Sequence, residues 1–246
     1  MKHVVLFSGG LSSAYVAYLV LQEQKKEDVV LLHTPTLSEL PDADKFRYEV
    51  ARYLKVPITE WGLGLDIWGL IEKNNCIPGQ FMPFCTQQLK QAMKEQYYKY
   101  LKEIGEDFIE YVGYGVEEYR RVQKSVARNE AMGRKVAFPI FEKKIPSSEV
   151  RRIITEEWGI ALPSAYENLN HNNCIPCFKA GKATWKIYWE KYPEQFKKAM
   201  EYEDKIGYTV FKDKSLRALD EIWTNDKEWK ESQCSLADMI PCECWT

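Results

Sequence analysis

An α/β fold, a doubly wound parallel sheet followed by a helical C-terminal region, is predicted by three features of this chain. Four short apolar runs, residues 3–7, 28–33, 57–61 and 108–112, are rich in Val, Ile, Leu or aromatic side chains, the composition of buried strands. Helical patterns fill the intervals between them at residues 12–24, 43–54 and 86–103. Strand and helix in alternation give parallel strands joined by crossover helices. The third feature is the junction Phe7-Ser8-Gly9-Gly10-Leu11-Ser12-Ser13, where the first run turns directly into a helix.

That junction carries chemistry. Adjacent glycines let the backbone turn tightly and approach a ligand closely, since neither has a Cβ. The following helix aims its unpaired N–H groups and positive dipole end at the same place. Ser8, Ser12 and Ser13 bring hydroxyl donors, so a phosphate group is the expected guest. The loop has no Lys and is too short for GxxxxGK[ST], and it lacks the GxGxxG of dinucleotide sites.

The other elements follow in order. Ligands of such sheets sit beyond the carboxyl ends of the strands, which marks His33-Thr34-Pro35-Thr36 after the second strand and Gly113-Tyr114-Gly115 after the fourth. Thr34 and Thr36 are placed to receive an adenine or a ribose, and an ordinary polar loop accounts for them equally well. Arg120 and Arg121 come just past the fourth strand, where an arginine clamps phosphate or sulfate; a charged helix face with Glu–Arg pairs accounts for the same run. From Ile140 the pattern changes. Ser147 is the expected N-cap of a helix ending near Trp158-Gly159. An Asn-rich loop leads to Cys174-Ile175-Pro176-Cys177, and an aromatic helix spans 182–205 with a break at Tyr192-Pro193. The organisation expected is residues 1–165 as one domain and 166–246 as a helical region with a cysteine-containing tail.

Composition narrows the class. With 45% hydrophobic and 28% charged residues in 246, the chain can bury a full core. A net charge of −2 gives no general polyanion-binding signature. No run of about 18 apolar residues exists and the first residues do not read as a signal peptide, so a cytoplasmic protein with no membrane partner is expected. Seven cysteines, an odd number in a reducing compartment, point to metal, cluster or redox chemistry rather than disulfides. Cys174 and Cys177 place two thiolates on one turn able to grip a metal. Cys85 opens a helix, where the dipole is expected to lower its pKa, and Cys76 lies nine residues upstream.

Together these motifs resemble a known family. Ser8 to Ser13 is similar to the SGGxDS loop of the adenine nucleotide alpha hydrolases, the PP-loop ATP pyrophosphatases, with Ser12 where Asp is usual. Cys85-Thr86-x-x-Leu89-Lys90, then Asn173-Cys174-x-x-Cys177, resembles the phosphoadenosine phosphosulfate reductase family, in a phage-type branch related to DNA-phosphorothioation enzymes. Gly113-x-Gly115-x-x-Glu118-x-x-Arg121, Pro139, Pro163-x-x-Tyr166, Gly181 to Trp185 and Tyr192-Pro193-Glu194-x-Phe196 fit that branch.

The resemblance implies a Rossmann-like domain in which Ser8, Gly9, Gly10, Ser12, Ser13, Thr34, Gly113 and Gly115 hold ATP or phosphoadenosine phosphosulfate, with Mg²⁺. It implies Arg121 at the bound nucleotide. From their positions after Cys85 and Cys177, Lys90, a candidate catalytic residue, and Lys179 and Lys182 are expected to ring the mouth with positive charge; a solvated surface lysine accounts for each alone. The resemblance implies Cys85, Cys174 and Cys177 as ligands of a 4Fe–4S cluster, or of Zn²⁺, with Cys76, His171, a tail cysteine or an exogenous group as the fourth. The reductases end in Glu-Cys-Gly-Ile-His; this chain has Cys242-Glu243-Cys244-Trp245-Thr246, which leaves Cys244 as the tail nucleophile. Three activities follow: substrate adenylation with release of pyrophosphate coupled to sulfur transfer, thioredoxin-dependent reduction of phosphoadenosine phosphosulfate to sulfite, or nucleotide binding without catalysis. The implied partners are a nucleic-acid or small-molecule acceptor, thioredoxin or a cysteine desulfurase, and a second copy of the chain.

Overall fold

The computed structural model describes residues 1–225. Its strands are β1 (Lys2–Leu6), β2 (Val29–His33), β3 (Ile58–Glu60), β4 (Phe108–Tyr111) and β5 (Lys135–Ala137). They form one five-stranded sheet in the order β3-β2-β1-β4-β5, parallel at every pairing. The helices are α1 (Leu11–Glu23), α2 (Pro41–Leu54), α3 (Ile67–Asn74), α4 (Ala92–Glu103), α5 (Tyr119–Ala131), α6 (Pro139–Glu142), α7 (Ser147–Arg152), α8 (Ala165–Asn168), α9 (Lys182–Lys191), α10 (Pro193–Ile206) and α11 (Leu216–Asn225). A π-helical turn, Thr86–Gln91, leads into α4, and another, Ile153–Glu157, continues α7.

The sheet is doubly wound, as its alternating side chains require. Val5, Phe7 and Leu31 point to one face, where they pack with residues of α1, α2, α6 and α7. Val4, Leu6 and Leu32 point to the other and meet Tyr97, Tyr98 and Leu101 of α4 and Val122 of α5. β5 was not evident in the sequence. It is a three-residue edge strand whose Lys135 faces solvent, and an edge strand needs little apolar surface to pair.

A third apolar cluster joins Ile67, Leu70 and Ile71 of α3, together with Ile77, Phe84 and Leu89, to Ala165, Cys177, Trp185, Tyr188, Phe196 and Trp223. The helical C-terminal region thus shares its core with residues 67–89. Within it a cavity of about 570 Å³ opens between residues 77–82 and 208–213, and no residue of the Ser8–Ser13 loop lines it. The break at Tyr192 falls between α9 and α10 as Pro193 dictates, with Pro193 opening α10.

One helix start differs from expectation. The residue capping α7 is Pro146, in extended conformation, and Ser147 is already helical. Its hydroxyl turns away to donate to Glu117 at 3.2 Å. No helix among the described residues is long and apolar enough to cross a membrane.

Candidate functional site

Chain order reverses at the middle of the sheet: β2 and β3 lie on one side of β1, β4 and β5 on the other. Crevices in open α/β sheets form at such a switch point, beyond the carboxyl ends of the strands. The Ser8–Ser13 loop and Gly113 meet there. A Cβ on Gly113 would stand 2.9 Å from the Ser12 carbonyl carbon and 3.0 Å from Ser13 N, both backbone atoms, so only glycine lets the end of β4 approach α1.

Gly9 takes φ +81°, a left-handed value that a Cβ strains. Gly10 then caps α1 with no side-chain hydrogen bond, which leaves the Ser12 and Ser13 N–H groups uncapped. The hydroxyls behave differently from the expectation that they point outward. Ser8 Oγ donates to Ser13 Oγ at 3.2 Å, and Ser13 Oγ to the Gly10 carbonyl at 2.9 Å. They brace the loop, while Ser12 is half-exposed at its mouth.

Two residues from far along the chain close the loop from behind. Asn172 Nδ2 donates to the Gly9 carbonyl at 3.0 Å, and Leu11 N donates to the Tyr166 hydroxyl at 3.2 Å. Arg151 lies over the Tyr166 ring, 5.3 Å from its centroid.

The end of β2 supplies a buried polar cluster. His33 Nδ1 lies 3.0 Å from the Phe7 carbonyl. Burial, with Arg47 nearby, depresses His33 to about 4, so the ring is neutral at physiological pH. Its Nδ1 then carries the proton and its Nε2, which has no hydrogen-bond partner among the described residues, presents a lone pair. Thr34 Oγ1 is likewise buried and unpartnered. Thr36 differs: its hydroxyl donates to Glu39 at 2.6 Å and lies 3.1 Å from the Cys174 sulfur. Burial pushes the Glu39 carboxyl up, but Lys90, Thr36, His33 and Arg47 outweigh it and hold the group below its ordinary value. Lys90 is 6% exposed, and its charge acts on Glu39, His33, His171, Cys85, Cys174 and Cys177.

The cysteine turn docks on this cluster. Ile175 N donates to the Ser38 carbonyl at 2.8 Å, and Cys177 N to the Tyr188 hydroxyl at 3.3 Å. Cys177 is close enough to Cys85 and to Cys174 that each pair is electrostatically linked. Cys76 instead points its thiol at the neighbouring Ile77 carbonyl, 3.6 Å away. The pKa expected for Cys85 is corrected: burial pushes it up, and Lys179, Thr86 and Lys90 offset this only in part. Cys85 lies in the first turn of the helix as expected, one residue after Phe84 and directly before the π-helical turn. Burial, reinforced by Glu39, drives Cys174 to about 12. Among the described residues no group of three or more His, Cys, Asp or Glu side chains is arranged to hold a metal ion.

At the end of β4, Gly115 N donates to Glu118 Oε2 at 2.7 Å. Arg121 pairs with the other Glu118 oxygen, and its guanidinium lies over the Tyr114 ring, 4.5 Å from the centroid. Arg121 Nε is buried and has no hydrogen-bond partner among the described residues. Lys179 donates to Thr86 Oγ1 at 3.3 Å, whereas Lys182 is engaged with Asp213 at 2.5 Å, on the rim of the cavity in the helical region. Cys244 lies outside the described residues.

The structure thus gathers Ser8–Ser13, Thr34, Gly113, Lys90 and Cys174 around one edge of the sheet. It adds three side chains to which sequence reasoning gave no role: Arg47, Tyr166 and Asn172. Arg47 had a readable signal. The buried positions of α2 are Ala43, Phe46, Arg47, Val50 and Ala51, an apolar stripe at helical spacing with one arginine in it. Comparison of the chain with protein-family models and with curated proteins gave no match.

Proposed function

We propose that this chain is a phosphoadenosine phosphosulfate reductase-like enzyme that binds an adenine nucleotide at the Ser8–Ser13 loop and acts as an ATP pyrophosphatase. One observation carries the reading: the uncapped start of α1 faces the switch-point crevice, with Gly113 drawn against Ser12 and Ser13. A loop with open N–H donors at that place suits a phosphate chain. In the proposed reaction an oxygen of the acceptor attacks the α-phosphorus of ATP, the bond to the β-phosphate oxygen breaks, and pyrophosphate leaves. The adenylate then departs as AMP when the terminal sulfur of a donor persulfide attacks the activated carbon or phosphorus of the acceptor, and a thiol reductant cleaves the resulting disulfide to free the sulfur-bearing product. The first-turn N–H groups of α1 stabilise the charge on the departing pyrophosphate. Mg²⁺ enters with ATP as part of the substrate.

Thr36 ties Cys174 to the carboxyl end of β2, but burial keeps it a thiol, so the nucleophilic sulfur comes from the donor. The alternative activities separate in one experiment. Purified protein is incubated with ATP, or with phosphoadenosine phosphosulfate and reduced thioredoxin, and pyrophosphate and sulfite are measured. Pyrophosphate without sulfite is the expected result. Sulfite release assigns the reductase activity instead, and tight nucleotide binding with neither product leaves a binding module.

A further inference from the structure

Arg47 sits on the buried stripe of α2 and is 4% exposed. A guanidinium carries five N–H donors and keeps its charge at any physiological pH. One arm pairs with Asp44, a residue 58% exposed on the same helix. Nε and NH1 are buried and have no hydrogen-bond partner among the described residues. A buried charged donor without a partner is costly, so its persistence calls for a ligand.

The location of those nitrogens says which ligand. A Cβ at Gly9 would stand 2.5 Å from Arg47 Cγ, 2.8 Å from Cδ and 3.2 Å from NH1. The space that glycine leaves in the loop is the space the arginine fills. The next residue, Gly10, is the uncapped start of the 13-residue helix α1. Two independent anion-seeking features therefore converge on one turn: open helix N–H groups and an unpaired guanidinium edge. Glu39, the carboxylate whose charge acts most on Arg47, already accepts from the Thr36 hydroxyl.

We propose that Arg47 is an anion-binding residue of the Ser8–Ser13 loop, whose Nε and NH1 make charge-assisted hydrogen bonds to a phosphoryl group held at the start of α1. This rests on the nucleotide reading above and adds the residue that supplies the site's positive charge. The ligand class is a phosphate chain, whether that of a nucleotide or inorganic pyrophosphate itself. Arginine suits this because its fork matches two phosphate oxygens at once.

Calorimetric titration of the full chain with ATP, inorganic pyrophosphate and adenosine tests it, on wild type, Arg47→Met and Asp44→Asn. Met keeps most of the buried volume, and circular dichroism verifies the fold. Expected are binding of ATP and pyrophosphate by wild type and a loss of roughly tenfold to a hundredfold for both in Arg47→Met, the range of charged hydrogen bonds. Adenosine binding should stay within twofold. Asp44→Asn leaves the core untouched and releases the guanidinium from its competitor, so both anions should bind at least about twofold more tightly at low salt. If wild type binds ATP and folded Arg47→Met binds it equally well, the proposal falls and the nucleotide reading stands. Equal losses for adenosine and ATP also overturn it, since they mean general damage. If wild type binds neither ATP nor pyrophosphate, both readings fall together. Should Arg47→Met not fold, Asp44→Asn decides, and unchanged or weaker anion binding there overturns the proposal.

Discussion

Two buried cations lie on opposite faces of the same sheet and are treated in opposite ways. On the α4–α5 face, Lys94 Nζ is 2.9 Å from Glu110 Oε2, which also accepts from the Tyr98 hydroxyl at 2.6 Å, while Asn129 reaches the other oxygen at 3.4 Å. Glu110 is wholly buried in β4, and its desolvation is overcome by Lys94 and Tyr98, which keep it ionised. On the α1–α2 face, Arg47 has one partner at its solvent end and unpaired nitrogens beside the loop. Around it His33 Nε2, Thr34 Oγ1 and Asn172 Oδ1 are unpartnered too. A closed network holds a fold; the open one is where the anion site proposed above would lie.

The contrast is broken most directly by deleting one member of the closed network. Glu110→Ala strands Lys94 in the core and should cost about 3–5 kcal/mol, read from urea denaturation. Arg47→Met, replacing a guanidinium paired only at its exposed end with an apolar chain of similar length, should cost less than about 1.5 kcal/mol. Equal losses for the two would abolish the distinction.

The next effect concerns pH. The folded value of His33 is depressed to about 4 from an ordinary 6.5, so the unfolded chain binds the extra proton between those values. Its contribution to stability is complete above about pH 6.5, declines as pH falls toward 4, and changes no further below that. The loss is at most on the order of 3 kcal/mol, and it should be missing from the pH–stability curve of His33→Gln. A parallel decline in both proteins assigns the titration to other groups.

Gly113→Ala forces a Cβ against the Ser12 and Ser13 backbone and should destabilise by about 1–3 kcal/mol. It should weaken nucleotide binding as well, measured on the same sample. Smallest is Tyr166→Phe, which removes the acceptor for Leu11 N and should cost about 1 kcal/mol. Because the freed N–H can turn to a ligand, pyrophosphate binding should survive this change. Its loss would place Tyr166 among the ligand's own contacts.

Much of this arrangement was legible in the sequence, for physical reasons that differ by element. β1, β2 and the start of α1 were readable because central parallel strands bury both faces and read as continuous apolar runs, and the paired glycines mark the turn. β5 escaped since an edge strand needs no such run. α3 (Ile67–Asn74) and its role in the third cluster were missed because its partners, Trp185 and Phe196, lie over a hundred residues away. The strand, turn and helix at residues 2–23 were readable, but the buried guanidinium packed against Gly9 was not. Arg47 looks like one more charged residue among Asp42, Asp44 and Lys45 until Gly9 is folded against it. The serines misled in the reverse direction: a hydroxyl near a phosphate loop can donate inward, and only the closed geometry of Ser8 and Ser13 shows that it does.

The hydrogen bonds from Asn172 to Gly9 and from Leu11 to Tyr166 also have a bearing on synthesis. A ribosome adds roughly 5–20 residues per second, so the loop leaves the exit tunnel on the order of ten seconds or more before Asn172. All the strands, which end at Ala137, have been made by then. The growing chain therefore assembles its sheet around a turn whose back wall has yet to be translated. A stretch made late is what closes the back of one made first.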